Sequence, residues 1–179
     1  MEAIRLVEPS LAYEEQIRSY RQEFLDRGDS LDGTSSLADY GDVSAWLAWL
    51  DKLAHPEICP DAFVPGTQLL GIRASDGKLV GMVNLRHSLN DHLRQTGGHI
   101  GYCVRPDERR KGCAKQLLRQ ALAVAAGLGL DRVLVTCSKD NEGSRRTILA
   151  CGGVLENEVW NGPEGKITQR YWIDTAECR

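Results

Sequence analysis

The sequence predicts a single domain of the α/β class over residues 1–179, with a central mixed sheet and helices on both faces. The length of 179 residues suits one domain with a full hydrophobic core. Strand-like and helix-like segments alternate from residue 99 to residue 137, which is typical of strand–helix–strand units with parallel pairing. The Asp76-Gly77 pair lies between two apolar runs and predicts an antiparallel hairpin, so both kinds of pairing are expected in the sheet.

The first third of the chain predicts one strand and two helices. Residues 4–7 alternate in polarity as a strand does, and Ser10 is expected to cap a helix over residues 11–27. The apolar residues expected on one face of that helix are Leu11, Ile17, Tyr20, Phe24 and Leu25. A second helix is predicted over residues 43–54, where apolar side chains recur at helical spacing.

The rest of the chain supplies six more strands and two more helices. The strands are predicted at 68–74, 78–86, 99–104, 132–137, 154–160 and 167–174. Helices are predicted over 115–126 and from about 140 to 151, where Gly152-Gly153 follows as a stop signal. One short helical turn is expected between residues 90 and 98. The resulting order is β-α-α-β-β-β-α-β-α-β-β.

The composition excludes several classes of protein. A net charge of -3 and an isoelectric point near 5.8 argue against a nucleic-acid binder, which normally carries a basic excess. No apolar run is long enough to cross a membrane. The N-terminus has no pattern of basic residues followed by an apolar stretch, so the expected location is the cytoplasm.

The six cysteines predict free thiols and no metal site. They are Cys59, Cys103, Cys113, Cys137, Cys151 and Cys178. No two of them are spaced as Cys-x-x-Cys, and a zinc site needs clustered ligands.

A basic loop between the predicted strand 99–104 and the helix 115–126 is the strongest candidate for a binding site. Its cationic side chains are Arg105, Arg109, Arg110 and Lys111. The helix that follows directs free N–H groups and the positive end of its dipole towards the loop. Gly112 and Ala114 leave those N–H groups accessible. This arrangement predicts a phosphate or pyrophosphate site; the alternative is an ordinary turn with solvated arginines.

Three features resemble the GNAT superfamily of N-acetyltransferases. The run Arg109-Arg110-Lys111-Gly112-Cys113-Ala114 matches the acetyl-CoA signature Gln/Arg-x-x-Gly-x-Gly/Ala. The stretch from Asn141 to Ser144, followed by Cys151-Gly152-Gly153, is similar to the Asn-x-x-Ala/Ser helix that ends in Leu-Gly-Phe. The predicted order of elements is also that of the family.

The resemblance implies acetyl-CoA as the acyl donor and a sheet that splays between the fourth and fifth strands. In the family, backbone groups at the end of the fourth strand pair with the pantetheine arm, and the loop amides bind the pyrophosphate. The asparagine and the serine of the later helix lie near the pantetheine. The positions that match are Cys103, Val104, Arg105, Arg109, Arg110, Lys111, Gly112, Cys113, Ala114, Lys115, Asn141 and Ser144.

The proton donor for the departing thiolate is an open question. Many family members carry a tyrosine seven residues after the helix asparagine, and this position is Ile148 here. The remaining candidates are Tyr102, Tyr171, Ser138 or a water molecule. Coenzyme A thiolate is also a fair leaving group without help.

The general base is open as well. An ammonium group with a pKa near ~10.4 must lose a proton before it attacks a thioester. His99 is the first candidate because the ordinary pKa of histidine suits this task. Tyr102, Asn84 and His87 are the others. The alternative for His99 is a structural bond to nearby backbone, and strand alternation places His99 and Tyr102 on opposite faces.

The stretch from Asp26 to Asp42, which leads from the first helix to the second, is acidic. It contains Asp26, Asp29, Asp32, Asp39 and Asp42. In the family this segment forms a wall of the acceptor site, so a cationic acceptor is expected, such as a small amine, a lysine side chain of a protein or a polyamine. The alternative is a solvated loop with capping aspartates. Trp160 and Trp172 could line the same site, whereas Trp46 and Trp49 are expected in the core.

The sequence thus predicts an N-acetyltransferase in which a neutral amine attacks acetyl-CoA directly in a ternary complex. A covalent route through a cysteine has no histidine partner in the sequence. The alternatives are a non-catalytic acyl-CoA-binding regulatory module of the same fold and a generic phosphate-binding domain. Neither nucleic acid, membrane nor metal is expected as a partner, and a homodimer is left open.

Overall fold

The computed structural model describes residues 2–176, so Cys178 lies outside the described part. The strands within it are β1 (Ile4–Val7), β2 (Gly66–Arg73), β3 (Leu79–Arg86), β4 (Ile100–Val104), β5 (Arg132–Ser138), β6 (Val154–Asn161) and β7 (Lys166–Asp174). The α-helices are α1 (Glu14–Arg27), α2 (Val43–Ala54), α3 (Cys113–Gly127) and α4 (Glu142–Leu149). This order is the predicted one, and the short turn expected before β4 is a π-helical turn at Leu93–Gly97.

The strands form two sheets. One has the order β1-β2-β3-β4 and the other β5-β7-β6, and each ladder found in residues 2–176 is antiparallel. The predicted splay between β4 and β5 is confirmed, but the parallel ladder expected there does not form. His99 explains why. Its N–H donates to the Leu134 carbonyl at 2.7 Å, while its Nδ1 accepts the Leu134 N–H at 2.9 Å, so a side chain occupies the donor that a ladder would need.

The N-terminal helix differs from its prediction in two ways. Residues Leu11–Tyr13 form a 3-10 turn, and the Ser10 side chain makes no capping bond. Leu11 is 57% exposed and Leu25 is 40% exposed. The buried stripe of α1 is narrower and consists of Ile17, Tyr20 and Phe24, which are spaced three and four residues apart and therefore share one face.

Helices cover both faces of the β1–β4 sheet, as predicted. The core on one face joins α1 and α2 to the sheet and includes Tyr20, Phe24 and Trp46. Trp46 is fully buried, and its Nε1 donates to the Thr34 carbonyl at 3.0 Å. Trp49 is only partly buried beside this cluster. On the other face α3 packs against the strands through residues such as Leu117.

Three further properties hold for residues 2–176. The cysteines in this range are free thiols. No group of three metal-binding side chains occurs there. No helix in the described range has the length and hydropathy that a membrane crossing requires.

Candidate active site

A cleft of about 1260 Å³ opens where the two sheets separate. Its floor is formed by β4 and β5, and one end by the loop that leads into α3. The start of α4, the α1–α2 loop and the β6–β7 connection complete its walls. The positions that the sequence assigned to the donor therefore border one continuous cavity, with the exceptions described below.

The loop before α3 presents backbone N–H groups to this cleft. Arg110 and Gly112 have positive φ angles of 64° and 86°, and these two turns lead the chain directly into the helix. Within α3 the first N–H group to find an acceptor is that of Gln116, which donates to the Gly112 carbonyl at 3.2 Å. The N–H groups at the preceding positions have no intrahelical acceptor, and Gly112 to Lys115 line the cleft. This is the geometry that binds an anion at a helix N-terminus.

A buried carboxylate holds the loop in place. Glu108 binds Arg73 at 2.9 Å, Lys78 at 2.7 Å and Lys111 at 3.1 Å. The hydrogen bond from Lys78, together with those cations, lowers the pKa of Glu108 to about 2, so this carboxylate remains charged. The ammonium of Lys111 is consequently directed at Glu108, and Lys111 does not line the cleft.

The other predicted cations divide into two groups. Arg105 is buried, pairs with Glu23 at 2.8 Å and lies over the ring of Tyr20, so it belongs to the packing of α1. Arg109 lines the cleft and pairs with Asp29 at 2.8 Å. The remaining cleft cations from this loop, Arg110 and Lys115, form no salt bridge within the described chain.

The edge of β4 that faces β5 is open for an added strand. β4 pairs with β3 on one side only, so the backbone groups on its other side are available to a ligand arm. Cys103 and Val104 line the cleft at this edge. The Cys103 thiol lies 3.0 Å from the Tyr20 hydroxyl, and burial raises its pKa to about 12, so it is not a thiolate.

Tyr102 projects across the splay to the first turn of α4. Its hydroxyl lies 2.9 Å from the Ser144 hydroxyl. Asn141 caps the same helix by accepting the Ser144 N–H at 3.0 Å. Burial raises the pKa of Tyr102 above its ordinary value, so the phenol is protonated at neutral pH. Ser138 also lines the cleft, but its hydroxyl is buried and has no hydrogen-bond partner among the described residues.

Ile148 is fully buried in the core. A Cβ atom added to Gly153 would lie 2.4 Å from its Cγ2, which shows how closely the chain packs there. The position where many GNAT proteins carry a tyrosine thus faces inwards here. Tyr102 brings a hydroxyl to α4 from the strand side instead.

The other predicted proton carriers lie outside the cleft. His99 is buried, and burial lowers its pKa to about 4, so its ring is neutral and fixed by Leu134. The Tyr171 hydroxyl donates to Gln169 at 2.8 Å. His87 contacts Thr67 through Nε2 at 2.8 Å. Asn84 is buried beside the Thr67 carbonyl. The location of these four residues does not support a catalytic role.

Two of the five aspartates from Asp26 to Asp42 line the cleft, namely Asp29 and Asp32. Asp42 caps α2 by accepting the Ala45 N–H at 3.0 Å. The two tryptophans expected in the acceptor site are elsewhere. Trp160 is 68% exposed, and Arg132 lies over the ring of Trp172; neither lines the cleft.

Sequence reasoning missed Arg86 and a contact between two glycines. Arg86 closes β3 and lines the cleft. A Cβ atom added to Gly33 would lie 2.2 Å from the carbonyl carbon of Gly101, so the α1–α2 loop lies directly on β4. Arg86 could have been found from the sequence, because it is a charged residue at the end of a mostly apolar strand. The contact between the glycines had no local signal.

The model of the acetyltransferase (GNAT) family matches residues 15–152 of the chain. No curated protein matches significantly. Among solved structures, a spermidine N-acetyltransferase SpeG variant from Vibrio cholerae is similar with a TM-score of 0.64 and 17% identity, covering 98% of this chain and 96% of that one.

Two further structures contain the donor. The microcin C7 self-immunity acetyltransferase MccE, in complex with acetyl-CoA and AMP, is similar with a TM-score of 0.64 and 20% identity over 96% of this chain and 92% of its own. The putative acetyltransferase yncA from Salmonella typhimurium, with its cofactor acetyl-CoA, is similar with a TM-score of 0.62 and 16% identity. The match covers 98% of this chain and 95% of that one. At these identities the likeness establishes the fold.

Proposed function

The chain belongs to the GNAT acetyltransferase family, and from this we propose that it transfers an acetyl group from acetyl-CoA to a primary amine. The amine belongs to a small molecule or a protein and attacks the thioester directly in a ternary complex. The observation that carries the proposal is the convergence of free amides, an open strand edge and the Tyr102 hydroxyl on one cleft. The acetyl-CoA found in MccE and yncA, and the spermidine acetylated by SpeG, support the same reaction class.

In this proposal the N-terminus of α3 binds the pyrophosphate. The N–H groups from Arg110 to Lys115 donate to its oxygens, and the side chains of Arg109, Arg110 and Lys115 add positive charge. The pantetheine arm then runs along the open edge of β4 beside Val104 and Cys103. Its amides pair with that edge as an added strand would. Asn141 and Ser144 border the arm on the opposite side of the cleft.

The thioester end of this arm lies beside Tyr102. The acceptor, after losing one proton to water in the open cleft, attacks the thioester carbon, and a C–N bond forms as the C–S bond breaks. Tyr102 donates its proton to the departing thiolate. It recovers a proton from the nitrogen of the new amide through water. Tyr102 meets one requirement of this role, since burial keeps its pKa above neutrality and the acid must be protonated before each turnover.

The decisive experiment follows release of the coenzyme A thiol from acetyl-CoA over a panel of primary amines, with mass spectrometry of the acetylated product. Turnover of any amine, dependent on Tyr102, is the expected result. A regulatory module of the same fold would bind coenzyme A in calorimetry but release no thiol above the rate of hydrolysis. A generic phosphate-binding domain would prefer nucleotides without the pantetheine arm.

A further inference from the structure

Arg86 carries unused hydrogen-bond donors into the cleft. Its Nη1 donates to the carbonyls of Gly97 and Gly98, each at 3.1 Å. A guanidinium has five N–H donors, so Nε and Nη2 carry the other three, and two of these form the Nε–Nη2 edge. Within residues 2–176 this edge makes no hydrogen bond, and no carboxylate forms a salt bridge with Arg86.

The unused edge of Arg86 lies over β4. A Cβ atom added to Gly101 would be 3.6 Å from Arg86 Nη2 and 3.0 Å from the Gly33 Cα. Gly101 precedes Tyr102, whose hydroxyl marks the reacting end of the arm in the proposed function. Arg86 Nη2 and the Gly33 backbone therefore lie side by side over Gly101, and Arg86, Gly33 and Gly101 all line the cleft that an acceptor would enter.

The guanidinium of Arg86 has no salt-bridge partner within residues 2–176. Burial lowers the pKa of Arg86, and the charge of Asp32 raises it, so Asp32 is the nearby acid. An arginine nevertheless stays charged in proteins, and the charge of this partly buried side chain is stabilised by a paired anion. The missing partner is an anion that fits a planar two-donor edge, which a carboxylate does.

Asp32 approaches the same point from the opposite element. It is exposed, lines the cleft and forms no salt bridge within the described chain. The adjacent Gly33 rests on Gly101, so the loop that carries Asp32 is fixed on β4. A carboxylate and a guanidinium thus border Gly101 from the α1–α2 loop and from β3.

We propose that the acceptor is an amino-acid-like zwitterion, with its amine beside Asp32 and its carboxylate on the Nε–Nη2 edge of Arg86. This inference rests on the proposed function and narrows the acceptor class. A polycation would place positive charge against Arg86. A lysine side chain in a protein has no carboxylate of its own beside its amine.

The test compares matched acceptors in the coenzyme A release assay. α-, β- and γ-amino acids are each paired with the amine that lacks the carboxylate and with the corresponding amide. We expect kcat/KM for at least one amino acid to exceed that of its decarboxylated amine by at least about tenfold, since charge-assisted bonds to a guanidinium are strong. Equal or faster turnover of the decarboxylated amines throughout would overturn the inference and leave the acetyltransferase proposal intact.

Variants assign the effect to the two residues. Arg86→Gln should raise KM for the preferred amino acid by at least about tenfold and leave KM for its decarboxylated amine within about twofold. Arg86→Lys should recover only part of the loss because an ammonium lacks the planar edge. Asp32→Asn should raise KM for both the amino acid and its decarboxylated amine, because both carry the amine. Arg132→Gln is the matched control, because Arg132 lies outside the cleft and pairs with Asp174. It should change KM for neither acceptor.

A binding measurement makes the inference independent of turnover. Calorimetry of the wild-type protein saturated with coenzyme A should detect binding of the amino acid and no binding of its decarboxylated amine. If no amine is acetylated but the amino acid binds selectively, the proposed reaction fails and the zwitterion site stands. If neither compound binds and amines are still acetylated, the zwitterion site fails alone.

Discussion

The hydroxyl of Tyr102 lies 2.9 Å from that of Ser144, so a strand residue and a helix residue meet across the gap between the two sheets. This contact brings a protonated phenol to α4 although α4 itself carries Ile148 at the position where many GNAT proteins have tyrosine. The candidate acid thus comes from the strand that also offers its open edge to the pantetheine.

Tyr102→Phe should reduce kcat by on the order of 100-fold, in the range observed when an enzyme loses a general acid. The Kd of coenzyme A should change little because the ring remains. Steady-state kinetics together with calorimetry measure both quantities. Tyr171→Phe is the control, since this hydroxyl serves Gln169 outside the cleft. An unchanged kcat in Tyr102→Phe would remove Tyr102 from the reaction.

Gly112→Glu should abolish coenzyme A binding while the protein stays folded. The new carboxylate would occupy the anion site in front of α3, where the N–H groups are free. Because Gly112 has a φ of 86°, any side chain there is also strained. Gly129→Glu is therefore the matched control: Gly129 has a φ of 80° but lies just after the far end of α3. Calorimetry and thermal unfolding of both variants separate strain from the loss of the site.

Arg110→Ala and Arg105→Ala should have different effects although both residues belong to the same basic loop. Arg110 lines the cleft, and its loss should weaken coenzyme A binding by about three- to tenfold, with a smaller dependence on salt. Arg105 is buried against Glu23 and Tyr20, and its loss should lower the melting temperature. Equal effects of the two variants on coenzyme A affinity would contradict this division.

The stability of the protein should fall as the pH drops from 6.5 towards 4. His99 has an ordinary pKa of 6.5 that burial lowers to about 4 in the folded protein. The unfolded chain therefore takes up a proton first, so the contribution of neutral His99 is present above pH 6.5 and is lost as the pH falls.

Urea unfolding over this pH range tests the role of His99. In His99→Asn an amide oxygen can still accept the Leu134 N–H, but the group no longer titrates. The free energy of unfolding should therefore change less steeply with pH than in the wild-type protein. His55→Asn, which changes an exposed histidine beside Asp51, should keep the slope of the wild-type protein. A wild-type slope in His99→Asn would show that other groups cause the pH dependence.

Local patterns predicted the elements whose causes are local. The helix at Val43–Ala54 was predicted to the residue because Asp42 caps it and its apolar spacing is regular. The local structure of the loop before α3 was likewise predicted, since a strand, two small residues and a helix follow one another there. The start of α1 was misplaced because Ser10 resembles a cap but makes no capping bond.

Contacts between distant segments could not be read in this way. The basic loop contains four arginines and lysines, yet the partner that withdraws Arg105 from the cleft is Glu23 on α1. His99 had a suitable ordinary pKa as a base, but its burial and its bond to Leu134 depend on how the two sheets divide. Arg86 and Asp32 are far apart in the chain, and long-range contacts such as those of Gly33 with Gly101 and with Gln68 bring their segments together.

The contact between Gly33 and Gly101 also limits how the acceptor range of this protein could be altered. Neither glycine can gain a side chain without moving the α1–α2 loop away from β4, so a directed library at these positions should return mainly inactive clones. His92 and Thr96 line the same cleft from the π-helical turn and its approach, outside that contact. Variation there offers a route to larger or smaller acceptors that keeps the reacting end of the cleft intact.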